Sequence, residues 1–348
     1  MIKLLIVDDS PTELALLKYI FSSVPDIHIV GTAKNGKEAI ELAETLKPDL
    51  ITMDILMPVM DGYEAIRHIM RHNPIPIVVI SSKFNKNSVA ASYEALDIGA
   101  LSVLEKPRDI NSPHFDIEKK HLIDTVRSMS EIKVIRRRFF SETKNQPVFL
   151  STEVNSKNKK FEIVAIGASV GGPHALKVIL KKLPIDFRVP IVIVQHMIPG
   201  YIEGFSQWLN NNTLLKIKGA EDQEILTGGT VYFAPDKSHL TVKSIQGKLV
   251  ARLVNSGPVS GFCPSVTVLF ESIAKSCRDK AVGVLLTGMG SDGADGLLEL
   301  KKSHSYTIIQ DEKSAVVFGM AGVAQSIGAV DSIVELEQMA SYLIDIIQ

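Results

Sequence analysis

The amino-acid sequence predicts an α/β protein with two doubly wound parallel-sheet domains. The chain has 348 residues, about twice the length of an average domain. In both halves, short apolar runs alternate with stretches of helical periodicity, which is the pattern of βαβ units. Polar residues and glycines follow several of the apolar runs, at the strand ends where such sheets bind ligands.

Composition and charge indicate a globular protein with a full core. Hydrophobic residues make up 45% of the chain and charged residues 22%. The formal net charge is −1, which gives no electrostatic reason to expect nucleic acid or a membrane surface as a partner. Cys263 and Cys277 form no metal or redox motif, and no signal peptide or membrane-spanning stretch is expected. We therefore expect a cytoplasmic protein.

The first predicted domain covers residues 1–125. Its first strand, Ile2–Val7, ends at Asp8 and Asp9 and is followed by a helical pattern. Further strands are predicted at residues 27–30, 50–53, 77–80 and 101–104, and further helices at residues 37–46, 63–71 and 88–96. This alternation predicts a parallel sheet with helices on both faces.

Five polar residues follow the strands of this domain and are expected to converge: Asp8, Asp9, Asp54, Ser81 and Lys106. Carboxylates that share one pocket repel each other unless a cation lies among them, and Mg²⁺ suits such a donor set. One carboxylate could act as a nucleophile toward phosphorus, with the lysine and the serine binding the phosphoryl oxygens. The alternative is that each residue only caps a strand or a helix.

The motifs around these residues resemble those of the receiver domain of two-component response regulators. They are Val-Asp-Asp at 7–9, Met-Asp-Ile-Leu-Met-Pro-Val-Met-Asp-Gly at 53–62, Ser-Ser at 81–82 and Glu-Lys-Pro at 105–107. The resemblance implies that Asp54 is the phosphoacceptor and that Asp8, Asp9 and Asp54 bind Mg²⁺ for phosphorylation. It also implies a switch role for Ser81, a phosphoryl contact for Lys106 and a histidine kinase as phosphodonor.

Residues 126–160 are predicted to connect the domains. Apolar residues recur at helical spacing as far as about Phe140, which predicts an extended last helix of the first domain. Residues 141–160 are rich in Ser, Asn, Lys and Thr and predict a linker.

The second predicted domain, residues 161–348, opens with a strand, a sharp turn and a helix. Gly167–Gly171 fits the G-x-S-x-G nucleophile elbow with Ser169 at the bend, and Pro173 suits the first position of a helix. The free N–H groups of that helix would face negative charge forming at the serine. A phosphate-binding loop and a purely structural turn are the alternatives.

Two further strand ends in this domain carry candidates for the same site. His196 follows the strand at 191–195 and could be the general base for Ser169. Asp292 follows the strand at 281–286 and is either the acid that orients the histidine or the N-cap of the next helix. Short strands between residues 214 and 254 are predicted to form a β-hairpin insertion, with another strand at 306–310.

Four segments of this domain resemble the catalytic domain of CheB-type chemotaxis protein-glutamate methylesterases. They are residues 166–172, 195–197, 286–294 and 316–320. The resemblance implies a triad of Ser169, His196 and Asp292, with the backbone N–H groups of Val170 and Met289 binding the oxyanion and no cofactor. The implied substrates are glutamate γ-methyl esters on chemoreceptors, which release methanol, and in many members also receptor glutamines.

Departures from the family pattern leave other functions open. Cys263 and Thr267 stand where a basic residue and an aspartate are common, and Ala321-Gly322 stands where Pro-Arg is common. The alternatives are hydrolysis of a different ester or amide, and a binding protein controlled by phosphorylation but without turnover.

Overall fold

A computed structural model describes residues 1–81, 93–107, 115–132, 134, 160–197 and 200–347. The chain divides into two compact units, Met1–Thr143 and Lys144–Gln348. Each unit has its own parallel sheet and its own hydrophobic core. Apart from Lys160, the predicted linker at 141–160 lies outside the described residues.

Five parallel strands form the sheet in the described part of the first unit, in the order β2-β1-β3-β4-β5. They are β1 (Ile2–Val7), β2 (Ile27–Ala33), β3 (Leu50–Met53), β4 (Ile77–Ser81) and β5 (Ser102–Glu105). The connections change direction between β1 and β3, so a crevice opens at the carboxyl ends of these two strands.

The helices of the first unit cover this sheet. They are α1 (Pro11–Ser22), α2 (Gly36–Leu46), α3 (Gly62–His72), α4 (described over residues 93–98) and α5 (Phe115–Ser130). The first three helices begin at Ser10, Asn35 and Asp61, whose side chains each accept the N–H of the third helical residue. Polar residues at these positions therefore fix where the helices begin.

Helix α5 ends at Ser130, earlier than the predicted extension to about Phe140. The Ser130 hydroxyl donates to the carbonyl of Arg127, and the Ile132 N–H bonds to the Met129 carbonyl three residues back. These bonds tighten the last turn and satisfy carbonyls that an α-helix leaves free. Residues 135–140 of the predicted extension lie outside the described residues.

Seven parallel strands form the main sheet in the described part of the second unit, in the order β14-β13-β12-β6-β7-β9-β8. They are β6 (Ile163–Ala168), β7 (Ile191–Gln195), β8 (Lys216–Gly219), β9 (Thr230–Phe233), β12 (Ala281–Leu285), β13 (Tyr306–Gln310) and β14 (Ser332–Val334). Every residue of the five inner strands is buried, as expected for a parallel sheet covered on both faces. The predicted α/β fold class is confirmed.

An antiparallel hairpin of β10 (His239–Ile245) and β11 (Lys248–Val254) accompanies this sheet. The predicted β-hairpin insertion is thus present, but it is shorter than the region assigned to it. Strands β8 and β9 pair in the main sheet instead, because the fully buried Thr230–Phe233 run needs cover on both faces.

The described helices of the second unit flank the main sheet. They are α6 (Gly172–Lys182), α7 (Ile202–Asn210), α8 (Val266–Cys277), α9 (Ala294–Lys302), α10 (Met320–Ser326) and α11 (Leu336–Ile347). None of the helices described in either unit is both long enough and apolar enough to cross a membrane.

Candidate functional sites

The turn after β6 places Ser169 between a buried strand and the start of α6. Gly171 caps that helix with φ +79°, a left-handed backbone conformation that residues other than glycine rarely adopt. Pro173 lies in the first turn of α6, where its missing N–H costs no hydrogen bond. The sequence predicts this turn because the positive φ requires a glycine at 171 and the first turn of a helix tolerates a proline at 173.

Ser169 and His196 lie side by side, because β6 and β7 are neighbours with Ala168 opposite Gln195. The backbone N–H of His196 donates to the backbone carbonyl of Ala168 at 2.9 Å. The buried Gln195 side chain donates from Nε2 to the carbonyls of both Ser169 and His196, each at 2.9 Å. These bonds tie the two strand ends together.

His196 Nε2 lies 2.9 Å from Asp292 Oδ2, so the imidazole and the carboxylate form a direct pair. The other ring nitrogen, Nδ1, is buried and has no hydrogen-bond partner in the described part of the chain. It is therefore the ring nitrogen that remains available to accept a proton. Ser169 Oγ makes no hydrogen bond to His196 here, and catalytic hydrogen bonds are often long before substrate binds.

Asp292 sits on the N-terminus of α8. Its Oδ1 accepts from Ser265 Oγ at 2.8 Å and from the Thr267 N–H at 3.1 Å, and its Oδ2 accepts from the Val266 N–H at 2.8 Å. The N-cap of the next helix, α9, is Gly293. The alternative prediction that Asp292 only caps α9 is therefore wrong, and its carboxylate binds the N-terminus of α8 instead.

These contacts keep Asp292 ionised although it is only 1% exposed. Burial is the largest influence and raises its pKa, but hydrogen bonds from His196, Thr267 and Ser265 outweigh it. The pKa of Asp292 is consequently lowered to about 2. A carboxylate held charged in this way can stabilise a protonated His196.

The N–H groups of Val170 and Met289 donate to no acceptor in the part of the chain that the structure describes. Thr287 joins their loops, since its Oγ1 donates to the Val170 carbonyl at 2.9 Å and its own carbonyl accepts the Ser169 N–H. The backbone at Gly288 also lies close to Ser169, because a Cβ on Gly288 would be 2.7 Å from the Ser169 Cβ. Two unpaired N–H groups beside a serine suit an oxyanion.

The fold accommodates the residues that depart from the family pattern. Thr267 accepts the Gly293 N–H at 2.8 Å and adds no second charge beside Asp292. Cys263 is half-buried, Ala321 is fully buried in the core, and Gly322 lies against the Phe318 ring. These substitutions leave the His196–Asp292 pair intact.

In the first unit, the carboxylates of Asp8, Asp9 and Asp54 each offer an oxygen within 4.8 Å of the others. Lys106 Nζ lies 2.6 Å from Asp8 and 3.2 Å from Asp54. Ser81 is half-buried at the end of β4, where its carbonyl accepts the Lys106 N–H. Three hard oxygen donors at this spacing fit a divalent cation such as Mg²⁺.

Asp54 is held at its position by tight backbone packing. A Cβ on Gly62 would lie 2.2 Å from the Asp54 carbonyl oxygen, so only glycine fits there. Burial raises the pKa of Asp54; the Lys106 charge lowers it and the Asp8 charge raises it further, and the net result is a raised pKa. The folded protein therefore disfavours the charged form of the Asp54 carboxylate when no cation is bound.

Asp54→Asn is therefore expected to stabilise the first unit at pH 7 in buffer without divalent cations. A raised pKa means that the folded state favours the protonated carboxyl, so stability is lost as pH rises through the folded pKa. The neutral amide removes this loss and should raise the melting temperature of this unit. The gain should vanish below the unfolded pKa of 3.8.

Calorimetry of the full chain measures this effect. Asp124→Asn is the matched control, because Asp124 is exposed and, among the described residues, forms only a 3.6 Å surface ion pair with Arg127, which contributes little to stability. An equal or lower melting temperature for Asp54→Asn at pH 7 would contradict the expectation.

The sequence alone does not indicate Gln195, Ser265 or Thr287 as parts of the candidate catalytic site. Ser265 precedes an amphipathic helix and could have been read as its N-cap, which it is. Its bond to Asp292 spans 27 residues, however, and nothing local in the sequence indicates it. The roles of Gln195 and Thr287 likewise depend on neighbouring strands.

Comparisons with known proteins show which family this chain resembles. The CheB methylesterase family matches residues 164–343, and the response regulator receiver domain matches residues 4–114. A protein-glutamate methylesterase/protein-glutamine glutaminase 1 of Syntrophus aciditrophicus is 43% identical, covering 99% of this chain and 98% of its own. A protein-glutamate methylesterase/protein-glutamine glutaminase of Nitrosospira multiformis is 42% identical, covering 100% of this chain and 97% of its own.

A solved structure matches the second unit. The CheB methylesterase catalytic domain of Thermotoga maritima is 35% identical with a TM-score of 0.52, covering 53% of this chain and 98% of that chain. The predicted resemblance is confirmed over nearly the whole length of the sequence. The chain belongs to the CheB methylesterase family, and its N-terminal part is a response regulator receiver domain.

Proposed function

We propose that this chain is a phosphorylation-regulated protein-glutamate methylesterase that acts on chemoreceptors during chemotaxis adaptation. The observation that carries the proposal is the His196–Asp292 pair at the strand end beside Ser169, in a chain of this family. The names of its relatives supply the substrate class, glutamate methyl esters and glutamines in proteins. The chemoreceptors themselves are an expectation from the family.

In the first half of the reaction, Ser169 attacks the ester. His196 takes the hydroxyl proton at Nδ1, because Nε2 is held by Asp292, and Ser169 Oγ bonds to the ester carbonyl carbon. The N–H groups of Val170 and Met289 bind the oxyanion, and Asp292 remains charged beside the imidazolium. His196 then gives its proton to the departing methoxide, which leaves as methanol.

In the second half, water releases the acyl group. His196 removes a proton from the water, the hydroxide attacks the acyl carbon, and Ser169 regains its proton from His196. The product is a free glutamate side chain. The same steps on a glutamine amide would release ammonia, which accounts for the glutaminase activity in the names of the relatives.

We further propose that Asp54 accepts a phosphoryl group from a histidine kinase, with Lys106 and Ser81 binding the phosphoryl oxygens. Asp8, Asp9 and Asp54 would hold Mg²⁺, which neutralises charge on the phosphoryl group when bound. Phosphorylation adds negative charge and acceptor oxygens to a site that already contains three carboxylates, and can thereby shift a two-state domain. With a histidine kinase as phosphodonor, the proposed location of the chain is the cytoplasm.

Methanol release from methylated receptor membranes tests the proposal, measured with and without a small-molecule phosphodonor. The phosphodonor should raise the rate of the full chain by roughly tenfold, within the usual range of coupling between sites. Asp54→Asn should lose this response and keep the basal rate, whereas the exposed Asp124→Asn should respond normally.

Two outcomes would contradict the proposal. If the chain binds receptor membranes but releases no methanol in either state, it is a binding protein and not an esterase. If Asp54→Asn responds to the phosphodonor as the unmodified chain does, Asp54 is not the phosphoacceptor.

A further inference from the structure

The ring of Phe262 lies flat on the imidazole of His196. The ring centroids are 3.9 Å apart and the ring planes differ by 1°. Phe262 is only half-buried, so core packing does not explain its position. A half-buried aromatic ring stacked on the proposed general base indicates a role in the reaction.

We propose that Phe262 is a positioning residue that fixes the plane of the His196 ring and supports its protonated form. The Asp292 hydrogen bond holds Nε2 but leaves the imidazole free to turn about that contact. A parallel aromatic ring removes this freedom and so keeps Nδ1 directed at the place of proton transfer. The face of the ring also attracts the imidazolium that forms when Ser169 loses its proton.

The backbone holds Phe262 firmly enough for this role. Val259 and Phe262 exchange two backbone hydrogen bonds of 3.0 Å, and the residues between them, Ser260 and Gly261, both have positive φ. This is the conformation of a tight two-residue hairpin turn. The turn therefore fixes the direction in which the Phe262 side chain leaves the backbone.

A buried histidine closes the segment that carries Phe262, residues 257–265. His239 Nδ1 accepts the Ser265 N–H at 3.1 Å, so Nε2 carries the proton and donates to the Gly257 carbonyl at 2.9 Å. Ser265, at the end of this segment, also donates to Asp292. One segment thus positions both members of the His196–Asp292 pair.

The test compares Phe262→Leu, which keeps an apolar side chain but loses the ring, with Phe262→Tyr, which keeps the ring. Both are made in the full chain and assayed with the phosphodonor present. Phe262→Leu should lower kcat by about tenfold, equal to about 1.4 kcal/mol, with KM almost unchanged. Its reaction with a fluorophosphonate should slow by a similar factor, and Phe262→Tyr should restore both rates.

Phe161→Leu is the matched control, because Phe161 is a buried aromatic that contacts Tyr306 and precedes β6, whereas Ser169 follows the other end of that strand. It should lower stability but leave kcat unchanged.

A spectroscopic measurement separates stacking from folding: the His196 ring protons should resonate upfield in the unmodified chain and in Phe262→Tyr. They should move downfield in Phe262→Leu, because the shielding ring is gone.

The rate measurements rest on the proposed function, whereas the resonances do not. If the unmodified chain neither releases methanol nor reacts with the fluorophosphonate, the proposed function fails, and the resonances alone decide whether the ring is stacked. The inference is overturned if Phe262→Leu keeps its kcat, if Phe262→Tyr is as slow as Phe262→Leu, or if the His196 resonances do not move.

Discussion

Ser169→Ala is expected to lower the rate of methanol release by about 10⁶-fold, the cost of removing a triad nucleophile in a comparable serine hydrolase. The alanine has no oxygen to bond to the ester carbon, so no acyl-enzyme can form. The oxyanion donors and the binding surface remain, and these account for the residual rate above that in water.

The substitution should leave the fold unchanged. Ser169 Oγ makes no hydrogen bond to the described residues, while the Ser169 N–H and carbonyl keep their bonds to Thr287 and Gln195. Losing the hydroxyl therefore leaves no buried partner unsatisfied. The melting temperature should stay the same, which separates loss of chemistry from loss of structure.

Methanol release tests the loss of turnover in Ser169→Ala, and fluorophosphonate labelling tests whether Ser169 is the nucleophile. Mass spectrometry should find the phosphonyl group on Ser169 in the unmodified chain and nowhere in Ser169→Ala. Ser206→Ala is the matched control, since it removes a buried hydroxyl that donates to the Ile202 carbonyl within α7. Near-normal methanol release by Ser169→Ala would rule out the nucleophile assignment.

The sequence predicts the sheets and most strands of this chain because burial and residue pattern agree there. Ile191–Gln195 and Tyr306–Gln310 are continuous buried runs, and their predicted bounds match the structure. Polar residues directly after such runs, for example His196, lie at the edge of the sheet where ligands bind. Local pattern and fold class together therefore locate the candidate site.

The elements that sequence reasoning missed depend on contacts between distant segments. The short strand Ser332–Val334 is recognisable mainly by its pairing with β13. The predicted hairpin region is wider than the hairpin itself, because β8 and β9 pair in the main sheet. Phe262 reads as an ordinary apolar residue in a loop, and only the fold places it on His196. Roles that depend on neighbouring residues in the sequence can be predicted from it, whereas roles that depend on contacts between distant segments cannot.

Asp292→Asn is expected to lower kcat by about 10⁴-fold, the effect of the same change in a well-studied serine protease triad. The amide can still bond to His196, but it carries no charge to stabilise the imidazolium. It can also present its NH₂ group to Nε2, which would place the ring proton on Nδ1, the nitrogen that must accept the proton of Ser169. Either change slows formation of the acyl-enzyme.

The same substitution should destabilise the second unit at neutral pH. Asp292 has a folded pKa of about 2 against 3.8 when unfolded, so the charged carboxylate contributes stability above pH 3.8 that is lost as pH falls toward 2. At 1.36 kcal/mol per pKa unit, this contribution is roughly 2 kcal/mol. The amide cannot accept from Ser265, Val266 and Thr267 as fully, so the loss should approach this value.

Urea unfolding from pH 7 down to pH 3, combined with kcat at pH 7, tests both effects of Asp292→Asn. The stability difference from the unmodified chain should be greatest at pH 7 and shrink as the pH falls below 4. Asp295→Asn is the matched control, because Asp295 is an exposed acid three residues along the chain, in the first turn of α9. If Asp292→Asn unfolds at the same urea concentration as the unmodified chain at every pH, the carboxylate is not the anchor between α8 and His196. If it also retains near-normal kcat, the charge is not needed for catalysis.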